Sequence, residues 1–591
     1  MVRHTFRGKR HWTQARFSPM LNVSKTLSQG SHSMLEGFDP NSIQDVAGAR
    51  QAIVQLLNLV EDLASDNREL RDENQRLRDE INRLKGEQGK PRIKPNRPAS
   101  APTATDHSSE RERHKGQARK KSSQVERIEV NREQVLTVNP AQLPADAEFK
   151  GYDDVIVQDI KIETDNVLFH KEKFYSEREN KAYQAQLPRG YAGQFGPGVK
   201  ALTLVLYHAA NMSEPKVREF FGFVGVHISE GEVSNLLIKD QDKFHTEKEA
   251  VYAAGLRSSP WQHIDETSTR VNGVNEHCHT VCNPLYTAYV TTGKKDRLAV
   301  LEALLNGREL TFRLNAEAYT WLAPVGLPAS ALAALQQLPQ DQVLSEAEFT
   351  QRLAVALPTL GSQARRRVLE SAAIAAYHAQ QEFPVVDLLL CDDADQFKRL
   401  TGELALCWVH DARHYKKLNP VISLHRKLLD DFTGQYWDLY DDLLTYRQAS
   451  TSDDATRLSQ RFDVLFATKT GYADLDDRIA KTQAKKDALL MMLKHPEIPL
   501  HNNPAELAAR RRVRKRDVSF GPRTEDGKKA WDTFMTLADT AKKLGVSFYR
   551  YIFDRVSQAN HIPKLADLIT ERAKQLGLGA SWDAPELPAS Y

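Results

Sequence analysis

Three acidic positions have the residue types and surroundings for metal-dependent chemistry. Asp265 lies in the strand-like run WQHIDETSTR, where Asp is disfavoured. Asp392 and Asp393 end the apolar run VVDLLLC, which is typical of a strand buried on both faces. Asn503, followed by Pro, can cap a helix, and Glu506 follows near the N-terminus of that helix. Three carboxylates brought together need a cation, and their hard oxygens suit Mg²⁺ or Mn²⁺. Two such ions would activate an attacking oxygen and stabilise a leaving one in phosphodiester chemistry.

Each acidic position also has a purely structural interpretation. Asp commonly ends a strand by capping the turn that follows it. Glu near a helix N-terminus is favoured by the helix dipole. Intervals of 127 and 114 residues separate Asp265, Asp392 and Glu506, so the sequence alone leaves open whether they meet.

The histidines and cysteines of the same region offer a weaker metal pattern. Cys278 and Cys282, with His277 and His279, could suggest zinc, but strand alternation would divide them between two faces. Cys407, with the histidines of the following CWVHDARHY segment, has helical spacing that also suits packing or contact with a polyanion.

Strands and helices must position these groups. Asn272-Gly273 predicts a tight turn within an antiparallel meander that carries Asp265 in its first strand. Upstream, VERIEV and DVIVQDIKIE predict short strands, and ALTLVLYHAANMS predicts a helix. Two short helices joined by a turn at 225–229 suit a helix-turn-helix, although such pairs are more often structural packing.

The bulk composition limits the class of protein. The chain has 591 residues, 41% hydrophobic and 27% charged, with a formal net charge of +3, so two to four soluble domains are expected. No run approaches the roughly 20 apolar residues of a membrane span. Four cysteines in so long a chain indicate a reducing compartment. We expect a cytoplasmic protein.

Basic residues are concentrated in two places. Residues 89–124 hold ten Lys or Arg against three acidic residues, with four Pro and few apolar groups, which predicts a disordered linker. The run RRRVRKR at 510–516 adjoins Glu506. Basic runs are usually solvated faces, but two of them, one beside an acidic site, favour a polyanionic partner.

A heptad repeat near the N-terminus predicts self-association. Residues Ile53, Val60, Asn67, Asn74 and Ile81 occupy its a positions, and Leu56, Leu63, Leu70, Leu77 and Leu84 occupy its d positions. β-Branched residues at a with Leu at d favour a parallel dimer, whose register Asn at a would fix. Acidic g positions precede basic e positions, so the chains of a dimer would attract each other.

Three segments carry a resemblance to the transposases of insertion sequence family 66. They are HIDET, then DDADQF with CWVHDARHYKKL, and HNNPAELAARRRVRKRDVSFGPRTEDGKKAW, the most specific of the three. The heptad region is also similar to the family's N-terminal segment. The resemblance covers roughly 50–86 and 190–560. It implies a DDE enzyme with an α/β catalytic core of ribonuclease-H-like type, a mixed sheet flanked by helices with large α-helical insertions. An N-terminal parallel coiled coil would precede this core.

The resemblance also implies roles for individual residues. Asp265, Asp392 and Glu506 would bind two Mg²⁺ or Mn²⁺ ions and catalyse strand cleavage and transfer. Phe397 follows Asp392 at the family's spacing, which favours Asp392 over Asp393. DNA contacts would come from one insertion-helix residue and the basic run: Arg413, Arg510, Arg511, Arg512, Arg514, Lys515 and Arg516. Trp408 and His410 would lie near Arg413.

The expected domains follow from these segments. They are a partly disordered leader 1–50, a dimeric coiled coil 51–86, a basic linker 87–124, a small β plus helical DNA-binding region 125–255, a catalytic domain 256–575 with helical insertions at about 305–380 and 401–500, and a tail 576–591. Met34 could be the true translation start. The cysteine-rich zinc segment of many family members has no counterpart, since no Cys precedes Cys278.

The implied partners are DNA, at the element's ends and at the target, a second copy of the chain or a higher oligomer, and accessory proteins of the same element. The implied location is the bacterial cytosol, associated with the nucleoid. No Walker-type loop is present, which disfavours an ATP-dependent helper. Two alternatives stay open: a catalytically silent DNA-binding regulator, and a metal-dependent nuclease that does not join strands.

Overall fold

The computed structural model describes residues 43, 45–84, 128–139, 142–144 and 146–582, with the backbone alone described at 82–84. The predicted linker 87–124 and most of the predicted leader 1–50, including Met34, lie outside these residues. The chain divides into two compact units, whose described residues belong to the following ranges. Unit 1 comprises Met1–Asp106, Arg413–Asp441 and Gln460–Ala484, and unit 2 comprises His107–Ala412, Asp442–Ser459 and Lys485–Tyr591.

Strands and helices are numbered in chain order through the described residues. The strands are β1 Lys173–Ser176, β2 Lys181–Gln184, β3 Trp261–Val271, β4 Val274–Cys282, β5 Thr287–Thr292, β6 Thr311–Phe312, β7 Leu344–Ser345, β8 Leu388–Cys391 and β9 Glu403–Leu406. The helices before β8 are α1 Val46–Leu84, α2 Pro197–His208, α3 Glu214–Phe223, α4 Glu230–Ile238, α5 Asp242–Arg257, α6 Arg297–Leu304, α7 Ala316–Leu322, α8 Ala329–Gln336, α9 Glu346–Ala356 and α10 Ser362–Ala379. The helices after β9 are α11 Trp408–Lys417, α12 Ser423–Tyr446, α13 Ser452–Phe466, α14 Ala473–Gln483, α15 Lys486–Leu489, α16 Asn503–Ser519, α17 Glu525–Lys543, α18 Phe548–Val556 and α19 Leu565–Leu576.

A mixed five-stranded sheet forms the centre of unit 2. Its order is β5-β4-β3-β8-β9. The β3/β4 and β4/β5 pairs are antiparallel, whereas β3/β8 and β8/β9 are parallel. Asn272 and Gly273 connect β3 to β4 with φ of 48° and 78°, both positive, as a two-residue hairpin turn requires. The predicted α/β core and its meander are therefore confirmed.

Apolar side chains fix helices against this sheet. Trp261 and Leu390 pack with Met491 and Ile498, which lie before α16. Tyr289 of β5 clusters with residues of α16 and α17, and its hydroxyl donates to the Ala508 carbonyl at 3.2 Å. Helix α16 therefore lies against β3, the strand that carries Asp265, and α17 lies against β5.

One predicted strand was wrong. DVIVQDIKIE contains no strand in the described chain, and Val155, Val157 and Ile160 are 77–81% exposed. Alternation predicts a strand only where a partner covers the apolar face, and no such cover is found here. Strand β9 falls inside the predicted insertion 401–500, yet it pairs with β8 in the main sheet. Its four residues are too few to reveal a period.

Unit 1 is built around the 39-residue helix α1. Ala52 and Leu59 are buried. Glu61 is also buried, because its carboxylate accepts from the Val421 and Ile422 amides at 2.6 and 3.0 Å, just before α12 begins. One turn earlier, Asn58 accepts from the Ala473 amide at the start of α14. Helix α1 therefore caps two helices of its own unit.

The heptad leucines of α1 are more exposed. Leu56, Leu63, Leu70 and Leu77 are 40–56% exposed. Asn67 and Asn74 donate to carbonyls of the preceding turn. The predicted helix is confirmed, with an apolar stripe turned to solvent. The Leu84 side chain lies outside the described residues. Across the described chain, no helix is both long and apolar enough to cross a bilayer.

Candidate active site

Parallel pairing aligns the first two predicted carboxylates. The register of β3 and β8 matches Trp261 with Leu388 and His263 with Leu390. Extending it by two residues matches Asp265 with Asp392. Adjacent strands lie roughly 4.8 Å apart. The structure therefore places Asp265, in the middle of β3, near Asp392, which follows the end of β8.

A buried asparagine holds the helix of the third carboxylate against the same strand. Asn502 is fully buried and immediately precedes α16, which carries Glu506 in its first turn. Its Nδ2 donates to the Ile264 carbonyl at 2.7 Å, and its Oδ1 lies 2.9 Å from His263 Nδ1. The backbone amide of Asn502 donates to Cys407 Sγ at 3.2 Å. Asn502, rather than the predicted Asn503, precedes the first helical residue.

The pKa of Asp265 reflects its burial and the nearby charges of the other two acidic groups. Burial, together with the negative charges of Asp392 and Glu506, raises the pKa of Asp265 from 3.8 to about 7. The Glu266 amide opposes this effect by donating to Asp265 Oδ1 at 2.9 Å. The cluster therefore carries mutual repulsion, which a proton or a cation would relieve.

The Glu506 carboxylate already has protein partners. His410 Nε2 lies 3.2 Å from Glu506 Oε1, and Arg510 Nη2 lies 3.2 Å from Oε2. Within the described ranges, no group of three or more His, Cys, Asp or Glu side chains is arranged to hold a metal ion. The hard oxygens of the three acids suit Mg²⁺ or Mn²⁺ chemically. A shared ion would require Glu506 to turn away from His410 or Arg510.

The neighbouring Asp393 is engaged elsewhere. Lys398 Nζ and Lys485 Nζ lie 2.9 and 2.5 Å from its two oxygens. These lysines lower the pKa of Asp393. Asp392 instead accepts from the Ala394 amide at 3.1 Å and has the register that matches Asp265. Two lysines therefore engage Asp393, whereas Asp392 contributes to the negative charge around Asp265.

A buried ion pair supports the loop that follows Asp392. Arg297 donates to the carbonyls of Asp395 and Lys398 at 2.7 and 2.8 Å and forms an ion pair with Glu370 of α10. Both charged side chains are buried. Phe397, in the same loop, is also buried, so its role is packing.

The basic run divides by burial into three kinds of residue. Arg510 and Arg514 are exposed. Arg512 and Lys515 are fully buried: Arg512 pairs with Asp532 at 3.1 Å, and Lys515 Nζ lies 3.3 Å from the Tyr207 ring centre. Because Arg512 and Lys515 have no exposed surface, they cannot contact phosphate in this structure. The predicted DNA contacts therefore do not extend to every residue of the basic run. A helix turns each residue by about 100°, which a run of letters conceals.

The remaining members of the basic run are half-buried. Arg511 pairs with Asp539, and Arg516 donates to the Ser268 carbonyl at 2.6 Å. Arg413 lies on α11 but belongs to unit 1. Trp408, on the same helix, is buried and donates to the Leu489 carbonyl at 2.7 Å, so Trp408 is a packing residue.

Sequence reasoning missed Asn502 and Arg297 as supports of the site. The HNNPAE segment drew attention to Asn503 as a cap, because capping is the commonest use of Asn before a helix. Asn502 could have been noticed in the sequence because it lies four residues before Glu506. Arg297 had no signal in the sequence, because its partners lie 73 and about 100 residues away.

Two comparisons with known proteins found sequences similar to this chain. A family model described as "Transposase IS66 family" matches residues 369–530. This match includes Asp392 and Glu506. The chain is also 32% identical over 321 residues to uncharacterized protein y4jO of Sinorhizobium fredii (strain NBRC 101917 / NGR234), an alignment that covers 54% of this chain and 99% of that protein.

Proposed function

Because the chain belongs to the transposase IS66 family, we propose that it is the DDE transposase of an insertion sequence. It binds terminal inverted repeats, cleaves DNA at the ends of the element and joins those ends to target DNA. The observation that carries this proposal is the parallel pairing of β3 with β8, which brings Asp265 near the end of β8 that Asp392 follows, where the charges of Asp392 and Glu506 raise the pKa of Asp265.

The proposed core is ribonuclease-H-like. An antiparallel three-stranded meander, followed by two parallel strands on its first-strand side, supports this assignment. In this core the acids stand at a strand centre, a strand end and a helix start. Fold alone does not establish function, so the argument depends on the acids and the surface around them.

Asp265, Asp392 and Glu506 would hold two divalent ions, Mg²⁺ or Mn²⁺. Bound ions would supply Lewis-acid stabilisation of the attacking and leaving oxygens of an in-line phosphoryl transfer. Residues of the chain itself position the acids. Asn502 fixes α16 beside β3, and His410 and Arg510 hold the Glu506 carboxylate until a metal ion binds. Exposed Arg510 and Arg514 bind phosphates, so affinity falls steeply as salt rises.

The proposed reaction has two steps. Water attacks a phosphodiester at the element's end, which breaks the P–O3′ bond and leaves a free 3′-hydroxyl. That hydroxyl then attacks a target phosphodiester, and the target's own 3′-oxygen departs with a proton. Dimers formed through the exposed leucines of α1 would bring two ends together. End recognition would use the linker and the helices of 190–240.

The test is strand transfer of a labelled terminal-repeat oligonucleotide into plasmid with Mg²⁺ or Mn²⁺. Wild type should join DNA, whereas Glu506→Gln and Asp392→Asn should lose joining by at least about a hundredfold, the scale at which catalytic carboxylates act. Asp393→Asn is the matched control and should keep most activity. Cleavage without joining would indicate the nuclease alternative.

One observation favours a second candidate, the silent DNA-binding regulator. The ion pairs of Glu506 with His410 and Arg510 satisfy this carboxylate without a metal. DNA binding by wild type and by Glu506→Gln, with no cleavage or joining under either metal, would support the regulator instead.

A further inference from the structure

We infer that Phe520 stacks on an unpaired DNA base while the arginines of α16 hold the neighbouring phosphates. This inference rests on the proposed function, because it takes DNA as the ligand. It assigns Phe520 as a DNA-binding residue outside the acidic cluster and outside the basic run.

The Phe520 side chain suits neither the helix end nor the packing of the protein. Phe520 caps the C-terminus of α16 with φ of 58°, a left-handed conformation that favours glycine. A bulky residue there is an outlier. The side chain is also 85% exposed, so it contributes almost no burial. A glycine at this position would suit the helix end better.

The turn around Phe520 is held firmly against the β3–β4 hairpin. The Asn272 amide donates to the Pro522 carbonyl at 2.9 Å. A Cβ at Gly521 would approach the Arg270 carbonyl oxygen to 2.2 Å, so the two backbones are in close contact. The Phe520 amide donates to the backbone carbonyl of Arg516 at 2.7 Å. The ring is therefore presented on a fixed backbone, which reduces the entropy lost when a ligand binds.

The surface next to this ring is basic. Arg510 and Arg514 are exposed on the same helix, Arg523 is exposed three residues beyond Phe520, and Arg270 is exposed on the hairpin. Arg514 has no hydrogen-bond or ion-pair partner in the part of the chain that the structure describes. A fixed aromatic ring among exposed cations is the combination that binds single-stranded nucleic acid, because every base offers a stackable face.

Helix geometry gives the distance of this contact from the acidic cluster. Phe520 lies 14 residues after Glu506, about 21 Å along the axis at 1.5 Å per residue. The exposed stripe between the two ends consists of Leu507, Arg510, Arg514 and Asp517. Arg516 Nη2 lies 3.4 Å from the Asp517 carboxylate and offsets its charge. A strand following this stripe would place a base against Phe520 about six steps of 3.4 Å from the acids.

The test measures binding of the full chain to two labelled DNA probes: a 30-base-pair duplex with a single-stranded overhang and a blunt duplex of the same sequence. Phe520→Ala should bind the overhang probe about tenfold more weakly, the loss expected for one base stack. The blunt probe should change less. Phe520→Trp should bind the overhang probe as wild type does, and the salt dependence of Phe520→Ala should match wild type because no charge is lost.

Two controls separate this inference from its premises. Phe553→Ala removes another partly exposed Phe, 39% exposed on α18, and should leave binding unchanged. Thermal unfolding of Phe520→Ala should equal that of wild type, which excludes a folding defect. Unchanged overhang binding by Phe520→Ala would overturn the inference and leave the transposase proposal intact. Failure of wild type to bind either probe would overturn both.

Discussion

Asn502 Oδ1 lies 2.9 Å from His263 Nδ1, two residues before Asp265 on β3. The same side chain donates to the Ile264 carbonyl. Two elements that are about 240 residues apart in sequence are thereby joined beside the acidic cluster. The position of Glu506 relative to Asp265 depends on this buried amide.

Removal of that amide should weaken folding. Asn502→Ala leaves His263 Nδ1 and the Ile264 carbonyl without their partner, and a buried unsatisfied group costs about 1–3 kcal/mol. We expect a loss of that size in the free energy of unfolding, measured in urea. Asn503→Ala, at the next position, should cost much less. Equal losses in the two variants would contradict the assigned role of Asn502.

Removal of charge from the acidic cluster should stabilise the metal-free protein. Asp265→Asn abolishes one repelling carboxylate, and we expect about 1–3 kcal/mol greater stability at pH 8 in EDTA. A carboxyl with a raised folded-state pKa loses stability as pH rises from about 4 to about 7. The stability that Asp265→Asn gains over wild type should therefore be largest above pH 7 and should vanish near pH 4. Glu249→Gln, exposed on α5, is the control and should show no such gain.

Mg²⁺ should stabilise wild type more than Asp265→Asn, because binding to the folded state alone raises its stability. Melting temperatures at pH 8 with EDTA and with Mg²⁺ measure this difference. Equal responses of the two proteins would contradict a metal site at Asp265.

Stability should depend on the buried Lys515. Burial and the nearby charge of Arg512 lower the pKa of Lys515 from 10.5 to about 7. The unfolded chain then binds more protons above pH 7, so this residue makes stability rise with pH. Lys515→Met should stabilise the protein at pH 6.5, and its advantage should fall by up to about 1.4 kcal/mol per pH unit between pH 7 and 9. Arg514→Met, exposed on the same helix, should show no such trend.

The cap provided by Glu61 should hold unit 1 together. Glu61→Ala leaves the Val421 and Ile422 amides without their acceptor, and loss of a cap costs about 0.5–2 kcal/mol. Denaturant unfolding, followed by hydrogen exchange within α12, measures the loss. Glu69→Ala, exposed two turns later on α1, is the matched control. Retention of α12 protection in Glu61→Ala would contradict the capping role.

The leucine stripe should set the oligomeric state. Leu63→Asp with Leu70→Asp places charge at two central d positions, which a parallel coil cannot bury. In sedimentation equilibrium we expect wild type to be a dimer and this double variant to be a monomer. Arg76→Asp, exposed on another face of α1, should remain dimeric. A monomeric wild type would refute the coiled coil.

The sequence by itself determined the local elements of this protein. Apolar runs, turn residues and heptads report on neighbours within a few positions, so the hairpin at Asn272-Gly273, strand β8 and helices α1, α2, α3 and α4 could be predicted. The resemblance to insertion sequence family 66, confirmed by the comparisons, also lay in short motifs. These patterns identified the acidic positions as well, although not their proximity.

Only the tertiary structure decided which of these groups share surroundings. Proximity of Asp265 and Asp392 follows from strand register, and the position of Glu506 follows from Asn502, both of which join residues that are far apart in the chain. Burial separated Arg512 and Lys515 from exposed Arg510 and Arg514, a distinction absent from the letters RRRVRKR. The reason is physical: burial, pairing and charge interactions depend on distances in space, whereas local patterns carry only distance along the chain.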